Sequence, residues 1–185
     1  MHIDRKLNVV IPIERDESTL YIHMTPLRYE IFERYYLIIA KTFNALYAEG
    51  LREMGARIAY LMLMDTAKAS GKAEEVEIGL IGELMRTSNA LILNDAGWVT
   101  MSVDSAYKGG LLTEDEMREF KGYAVFFSCV WSMHTKLMAT ASVEIMANLW
   151  GLLTTSLDCM EYKTSLQTLM KNENIEKQTT LSVTS

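Results

Sequence analysis

The sequence predicts a mainly α-helical single domain, built like a bundle, with a small N-terminal β-hairpin and a flexible polar C-terminal tail. Three observations predict it. Between Thr113 and Leu153, apolar or aromatic side chains recur at alternating steps of three and four, through Met117, Phe120, Ala124, Phe127, Trp131, His134, Met138, Ala141 and Ile145. That spacing lays a broad stripe along one helix face. Two β-branched or aromatic-rich runs flank a polar loop within residues 7–24. From Lys171 to Ser185 the chain is polar and has no periodic apolar face. The helical domain therefore takes residues 1–166, with the hairpin at 7–24, and the tail takes 167–185.

The hairpin comes first. Leu7 to Ile13 and Thr19 to Met24 read as strands around Glu14-Arg15-Asp16-Glu17-Ser18. Pro12 cannot donate to a ladder, so it places the first strand at an edge or ends it early. A lone hairpin is marginal in water and must lie on the helices or pair with another chain. Thr25-Pro26 has the pattern of a helix cap and first turn. Leu27, Ile31, Phe32, Tyr35, Tyr36, Ile39, Phe43 and Leu46 then give a wide apolar face, stopped by Gly50. A second helix runs from about Met54 to Ser70 and ends at Gly71. Its centre, Ile58 to Met64, is apolar nearly all round and belongs in the interior.

A third helix is expected from Ala73 to Leu91, with Glu74, Glu75 and Glu77 at the positive end of its dipole. Gly79 and Gly82 each weaken it by about 1 kcal/mol relative to Ala, and either permit close helix contact or mark a break. Asn94-Asp95-Ala96-Gly97 is a turn. Val103 to Lys108 forms a short helix closed by Gly109-Gly110. Thr113 followed by Glu116 is a capping box that starts the striped region. That region is one helix, or two with a bend near Thr140 or Ser142.

Composition narrows the function classes. At 185 residues the chain can bury a core unaided. A net charge of −6 with no run of Lys or Arg argues against nucleic acid and anionic membrane surfaces as partners. No segment offers the roughly 20 apolar residues that span a bilayer. Cys129 and Cys159, without CxxC spacing, fit a reducing interior better than secretion. The N-terminal residues Met1 to Lys6 do not open a signal peptide's apolar region, so a cytoplasmic address is expected. Thirteen methionines suit irregular core gaps and adaptable surfaces alike.

Catalytic, metal and cofactor patterns are not legible. His2, His23 and His134 fall in three different elements, whereas a metal needs converging ligands. The cysteines lack a neighbouring base motif, no Gly-x-Ser-x-Gly is present, and the glycine pairs lack P-loop spacing. Acidic clusters at Glu74-Glu75 and Glu114-Asp115-Glu116 are explained by helix starts. The candidate binding residues are instead apolar. Phe127, Trp131 and Met138 lie on the stripe. Leu157, Met160, Tyr162 and Leu166 lie in a segment between the last strong helix and the tail. This segment is either docked on the protein's own core or an arm that orders on a partner.

Several stretches together resemble tail assembly chaperones of long-tailed bacteriophages. They are the hairpin followed by Thr25-Pro26-Leu27, the run from Phe32 to Phe43, Arg57-Ile58-Ala59, the helix around Phe126-Phe127, and Trp150 leading to Thr154-Thr155-Ser156-Leu157. The resemblance covers residues 7–166. It implies a small, acidic, non-enzymatic helical protein of phage morphogenesis that acts in the infected bacterium's cytoplasm. Its partners would be the tape measure protein, which it keeps soluble, and the tail tube subunits that polymerise around it. No catalytic residue, cofactor or metal is carried over. The alternative is a structural virion component, a minor tail or head–tail joining protein whose hairpin extends a neighbour's sheet. The apolar stripes can be satisfied within one bundle or between the protomers of a homo-oligomer.

Overall fold

The structure, a computed structural model, describes residues 7–15, 19–48, 54–134 and 136–168. The expected stop at Gly50, the tip of the first hairpin and the tail from residue 169 lie outside them. The described chain is an α+β fold rather than a mainly helical bundle. The N-terminal hairpin, β1 (Asn8–Glu14) and β2 (Thr19–Met24), is present, but it forms only two strands of a five-stranded antiparallel sheet. The others are β3 (Asn89–Asn94), β4 (Gly97–Ser102) and β5 (Leu153–Thr155), in the order β4-β3-β2-β1-β5. The hairpin is thus central. Pro12 sits opposite Tyr21, beyond Val10 where the β1–β5 pairing stops, so its missing donor falls on a free stretch of strand.

The third helix ends early because the chain turns into this sheet. It is assembled from α3 (Ala73–Val76), a π-helical turn (Glu77–Ile81) and α4 (Gly82–Thr87), and Ser88 is already extended. Asn89 to Leu91, expected as helix, pair with β2 at Tyr21, Ile22 and His23. Asn94 to Gly97 is the turn of a second hairpin, in which the Asn94 side chain accepts from the Ala96 amide at 3.0 Å. Gly97 takes φ +109°, which side chains disfavour.

The helices cover one face of the sheet. Register aligns Val9 with Met24, Ile11 with Ile22, and Ile13 with Leu20, and all six are buried in the main core. Above them pack α1 (Tyr29–Ala48), α2 (Met54–Ala69) and α6 (Glu114–Met133), with α5 (Val103–Lys108) and α7 (Lys136–Leu149) at the flanks. Helix α1 starts later than Thr25-Pro26 predicts, with the Arg28 carbonyl accepting from Ile31 and Phe32. Helices α2 and α6 meet closely at Gly122, where a Cβ would stand 2.6 Å from the Ala56 carbonyl oxygen. Gly79 makes a similar allowance for the Tyr35 ring of α1. It therefore serves close contact inside a widened turn, joining the two roles left open for it.

The capping box is present. The Glu116 amide donates to Thr113 Oγ1 at 3.2 Å, and the Thr113 amide donates to the Glu116 carboxylate at 2.8 Å. The same carboxylate holds Arg15 at 2.7 Å, which ties the first hairpin to the start of α6. The striped region is two helices. The break falls at His134, whose backbone is extended, rather than at Thr140 or Ser142.

The second face of the sheet has its own cover. Tyr21, Leu91, Leu93 and Trp98 alternate onto it and pack with Cys159, Tyr162 and Leu166 of α8 (residues 159–168). Of the two readings of this segment, docking on the protein's own core and an arm for a partner, the structure shows the first, with the sheet as the surface docked on. Among the described residues the layers are therefore helices, sheet and α8.

Candidate partner-binding surfaces

The seven residues singled out by sequence fall into unlike environments. Phe127 is buried in the main core, and Trp131 packs partly buried against it, 6.2 Å from Phe127 ring to ring. Met138 lies beyond the break and is exposed. In α8 and the turn before it, Leu166 is buried and Tyr162 is half-buried against Tyr21 at 6.2 Å. Leu157 is half-buried and offers its carbonyl to the protein interior, while Met160 is exposed. The structure gathers Phe127 with Trp131, and Tyr162 with Leu166. It does not unite the two groups.

The extent of the stripe explains the division. Met117, Phe120, Ala124 and Phe127 face the core along α6. After His134 the helix restarts with a new phase, and Met138, Ala141 and Ile145 turn outward. Val143 and Ala147 take the inward positions in α7. A one-element break thus converts the second half of the stripe from core into surface.

A second apolar surface, not singled out from sequence, lies on α1. Tyr29, Phe32, Tyr36, Phe43 and Tyr47 recur at helical spacing and stand at the edge of the buried face. Their rings form two groups, Tyr29–Phe32 at 6.1 Å with Phe32–Tyr36 at 5.7 Å in an edge-to-face pair, and Phe43–Tyr47 at 6.1 Å. His134 closes the row by an edge contact with Phe43 at 5.2 Å. Three tyrosines of the row, Tyr29, Tyr36 and Tyr47, are largely exposed. Their spacing is visible in the chain, but Phe32, Tyr36 and Phe43 read as one face with the buried positions Tyr35, Ile39 and Leu46, and Tyr29 and Tyr47 fall outside that face. Side-chain width hid the boundary.

Polar clusters in the described residues tie elements together. Lys121 of α6 donates to Glu77 at 2.6 Å and lies over the Tyr60 ring, whose hydroxyl donates to the same carboxylate at 2.8 Å. Burial and the Glu77 carboxylate raise the Tyr60 phenol well above its ordinary value, so it stays a donor. Buried Glu83 is clasped by Arg86 and Arg28, and the Arg86 hydrogen bond leads in holding its carboxyl below the usual range. Both clusters fasten the helix containing the π-helical turn to its neighbours.

A third cluster lies under α8. The fully buried His23 Nε2 is 3.0 Å from the Leu157 carbonyl, which also accepts from Asn8 Nδ2 at 2.9 Å. A carbonyl only accepts, so Nε2 carries the proton. The Nδ1 atom of His23 is buried with no partner among the described residues. Burial depresses the His23 pKa, opposed by the Leu157 hydrogen bond and the Asp158 charge. This neutral imidazole pins the start of the C-terminal segment. Cys129 is buried, which pushes its thiol up to about 12 and leaves it unreactive. No group of three or more His, Cys, Asp or Glu gathers as metal ligands among the described residues, and no helix there is long and apolar enough to cross a membrane.

No known protein family, curated protein or solved structure matches the chain.

Proposed function

We propose that this chain is a non-enzymatic binding protein for helical segments of another polypeptide. Following the resemblance in its sequence, we assign it to phage tail assembly as the chaperone that keeps the tape measure protein soluble until tail tube subunits enclose it. The reading places the protein in the cytoplasm of the infected bacterium. The observation that carries it is the exposed aromatic row on α1.

The nineteen positions from Tyr29 to Tyr47 extend about 27 Å at the rise of an α-helix, enough to hold several turns of a partner helix. Tyrosine is enriched at binding surfaces because each ring buries a large area at small entropic cost, and its hydroxyl tolerates water when the site is empty. An amphipathic helix laid along this row would engage it at positions i, i+3, i+4 and i+7. The rival use of the first hairpin as an extension of a neighbour's sheet has only the stretch of β1 from Ile11 to Glu14 to work with. Strand β2 is already paired by β3, and β1 by β5 over Asn8 to Val10.

The test is co-expression with the tape measure protein of the same phage. The wild-type chain is expected to hold it in the soluble fraction and co-purify with it. A Tyr29→Ser/Tyr36→Ser/Tyr47→Ser variant, with an unchanged far-UV spectrum, is expected to lose both effects. A tape measure protein equally soluble with the variant, or insoluble with the wild type, overturns the assignment.

A further inference from the structure

A groove of about 210 Å³ opens between α1 and the corner where α2 gives way to α3. The buried Tyr35 and Ile38 lie at its base, and the exposed Tyr36 and Leu37 stand at its mouth. Its rim is cationic. Arg34 and Lys41 line it from α1, seven residues apart and therefore on one side of that helix, and Lys72 lines it from the corner. Glu33 is the one acidic residue in the lining. Three positive charges thus stand against one negative, in a chain whose net charge is −6.

The rim charges are not answered from within the molecule. Arg34 and Lys41 make no ion pair among the described residues, although Glu30 stands one turn before Arg34 on the same helix. Lys72 reaches Glu75 only at 3.8 Å, an exposed pair of little strength. Cations elsewhere are closed off by carboxylates, as Arg15 is by Glu116, Arg28 and Arg86 by Glu83, and Lys121 by Glu77.

We infer that the helical segment received by α1 is acidic on the flank that faces this groove, with two carboxylates set against Arg34 and Lys41. Seven residues of α-helix span about 10 Å, so the acidic side chains recur at i and i+7 of the partner, with an apolar residue between them on Leu37. Tyr36 belongs both to the groove and to the aromatic row, which makes the two surfaces continuous. An apolar centre with a charged rim is the anatomy of a recognition surface, and the rim charges steer the approach. The rest of this acidic protein repels an acidic segment, so a locally positive groove also fixes where that segment lands.

The inference rests on the reading of α1 as a helix-binding surface. Its test measures the binding of helical peptides, tiled from the tape measure protein of the same phage, to the full chain. The tightest peptides are expected to carry the i, i+7 acidic pair, and glutamine in place of both carboxylates should weaken them about tenfold. Arg34→Gln/Lys41→Gln is expected to keep its far-UV spectrum, to bind at about a tenth of the wild-type association rate, and to lose most of the salt dependence. It should also no longer distinguish the acidic peptide from its glutamine form. Lys108→Gln/Lys163→Gln makes the same charge change on α5 and α8 and should bind as the wild type does. Tight peptides without acidic residues overturn the inference. So does an Arg34→Gln/Lys41→Gln chain that binds at the wild-type rate, or equal weakening by Lys108→Gln/Lys163→Gln; in these cases the helix-binding reading stands. If no peptide binds the wild-type chain, that reading falls and the inference falls with it.

Discussion

Replacing Gly79 with alanine tests the closest approach of a side chain to a glycine among the described residues. The added methyl would stand 1.8 Å from Tyr35 Oη and 2.9 Å from Tyr35 Cζ. Carbon contacts normally settle near about 3.5–4 Å, so the ring must retreat by more than an ångström. It has little room, being 3 % exposed and part of the main core. Overpacking of this kind costs about 1–3 kcal/mol. Retreat also breaks the hydrogen bond from the Tyr35 hydroxyl to the Glu75 carbonyl, 3.2 Å long, for about another 1 kcal/mol. Alanine returns about 1 kcal/mol of helix propensity. The net loss expected is about 1–3 kcal/mol.

Tyr35→Phe isolates the cause. It removes the nearest atom and leaves only the 2.9 Å ring contact, which a small shift relieves. Alone, Tyr35→Phe should cost about 1 kcal/mol for the lost hydrogen bond. In its background, Gly79→Ala should be nearly neutral. Urea unfolding of the four proteins, followed by far-UV circular dichroism, gives the coupling, expected at about 1 kcal/mol or more. Strictly additive effects would refute the argument that Tyr35 is what demands a glycine there.

Three further outcomes are expected. His23 is held neutral and its pKa is depressed, so the unfolded chain takes up a proton where the folded one does not. Its contribution is therefore complete above the ordinary histidine pKa of about 6.5 and declines as pH falls through that value toward the folded one. Urea midpoints should drop on acidification more for the wild type than for His23→Gln, and identical pH profiles would exclude His23 as the source. Leu166→Ala should cost about 2–4 kcal/mol, because the side chain is buried between α8 and the second sheet face. A loss below about 0.5 kcal/mol by urea unfolding would mean that α8 does not seal that face. Cys129 should resist a thiol reagent until the protein unfolds, while the half-buried Cys159 reacts in the native state; rapid native labelling of Cys129 would contradict its burial.

The helices with long amphipathic patterns were legible in the chain, and so were caps made by local side chains. Thr113 and Glu116 form the predicted box, and Gly71 closes α2 at φ +68°. What escaped was pairing between distant segments. Asn89 to Asn94 is a short apolar run that continues a helical pattern, and a six-residue run of this kind does not distinguish helix from strand by period. Strand β5 has three residues and exists only because β1 offers it an edge. The fold class was misjudged for this reason, although the first hairpin and the turn at Asn94 to Gly97 were both recognised.

The candidate surfaces were legible in a similar, partial way. Stripe positions named the residues, but periodicity gives an angle within one helix and not the phase of the next. Nothing local told that Phe127 would turn inward while Met138 turned out. Their separation depends on the extended backbone at His134. The row from Tyr29 to Tyr47 could have been found by asking which aromatic positions fall outside the narrowest arc needed for a core.

The pairing of Asn8 with Thr155 has a consequence for synthesis on the ribosome. Among the described residues β1 is flanked by β5, about 145 residues later in the chain, so the nascent sheet stays unclosed on that side until Leu153 to Thr155 have been made. Contacts of such separation are entropically slow to form and leave an apolar hairpin open to premature association. A release that comes early, before Leu153 to Thr155 have left the exit tunnel, yields a product with β1 unshielded on that side and the His23 face bare.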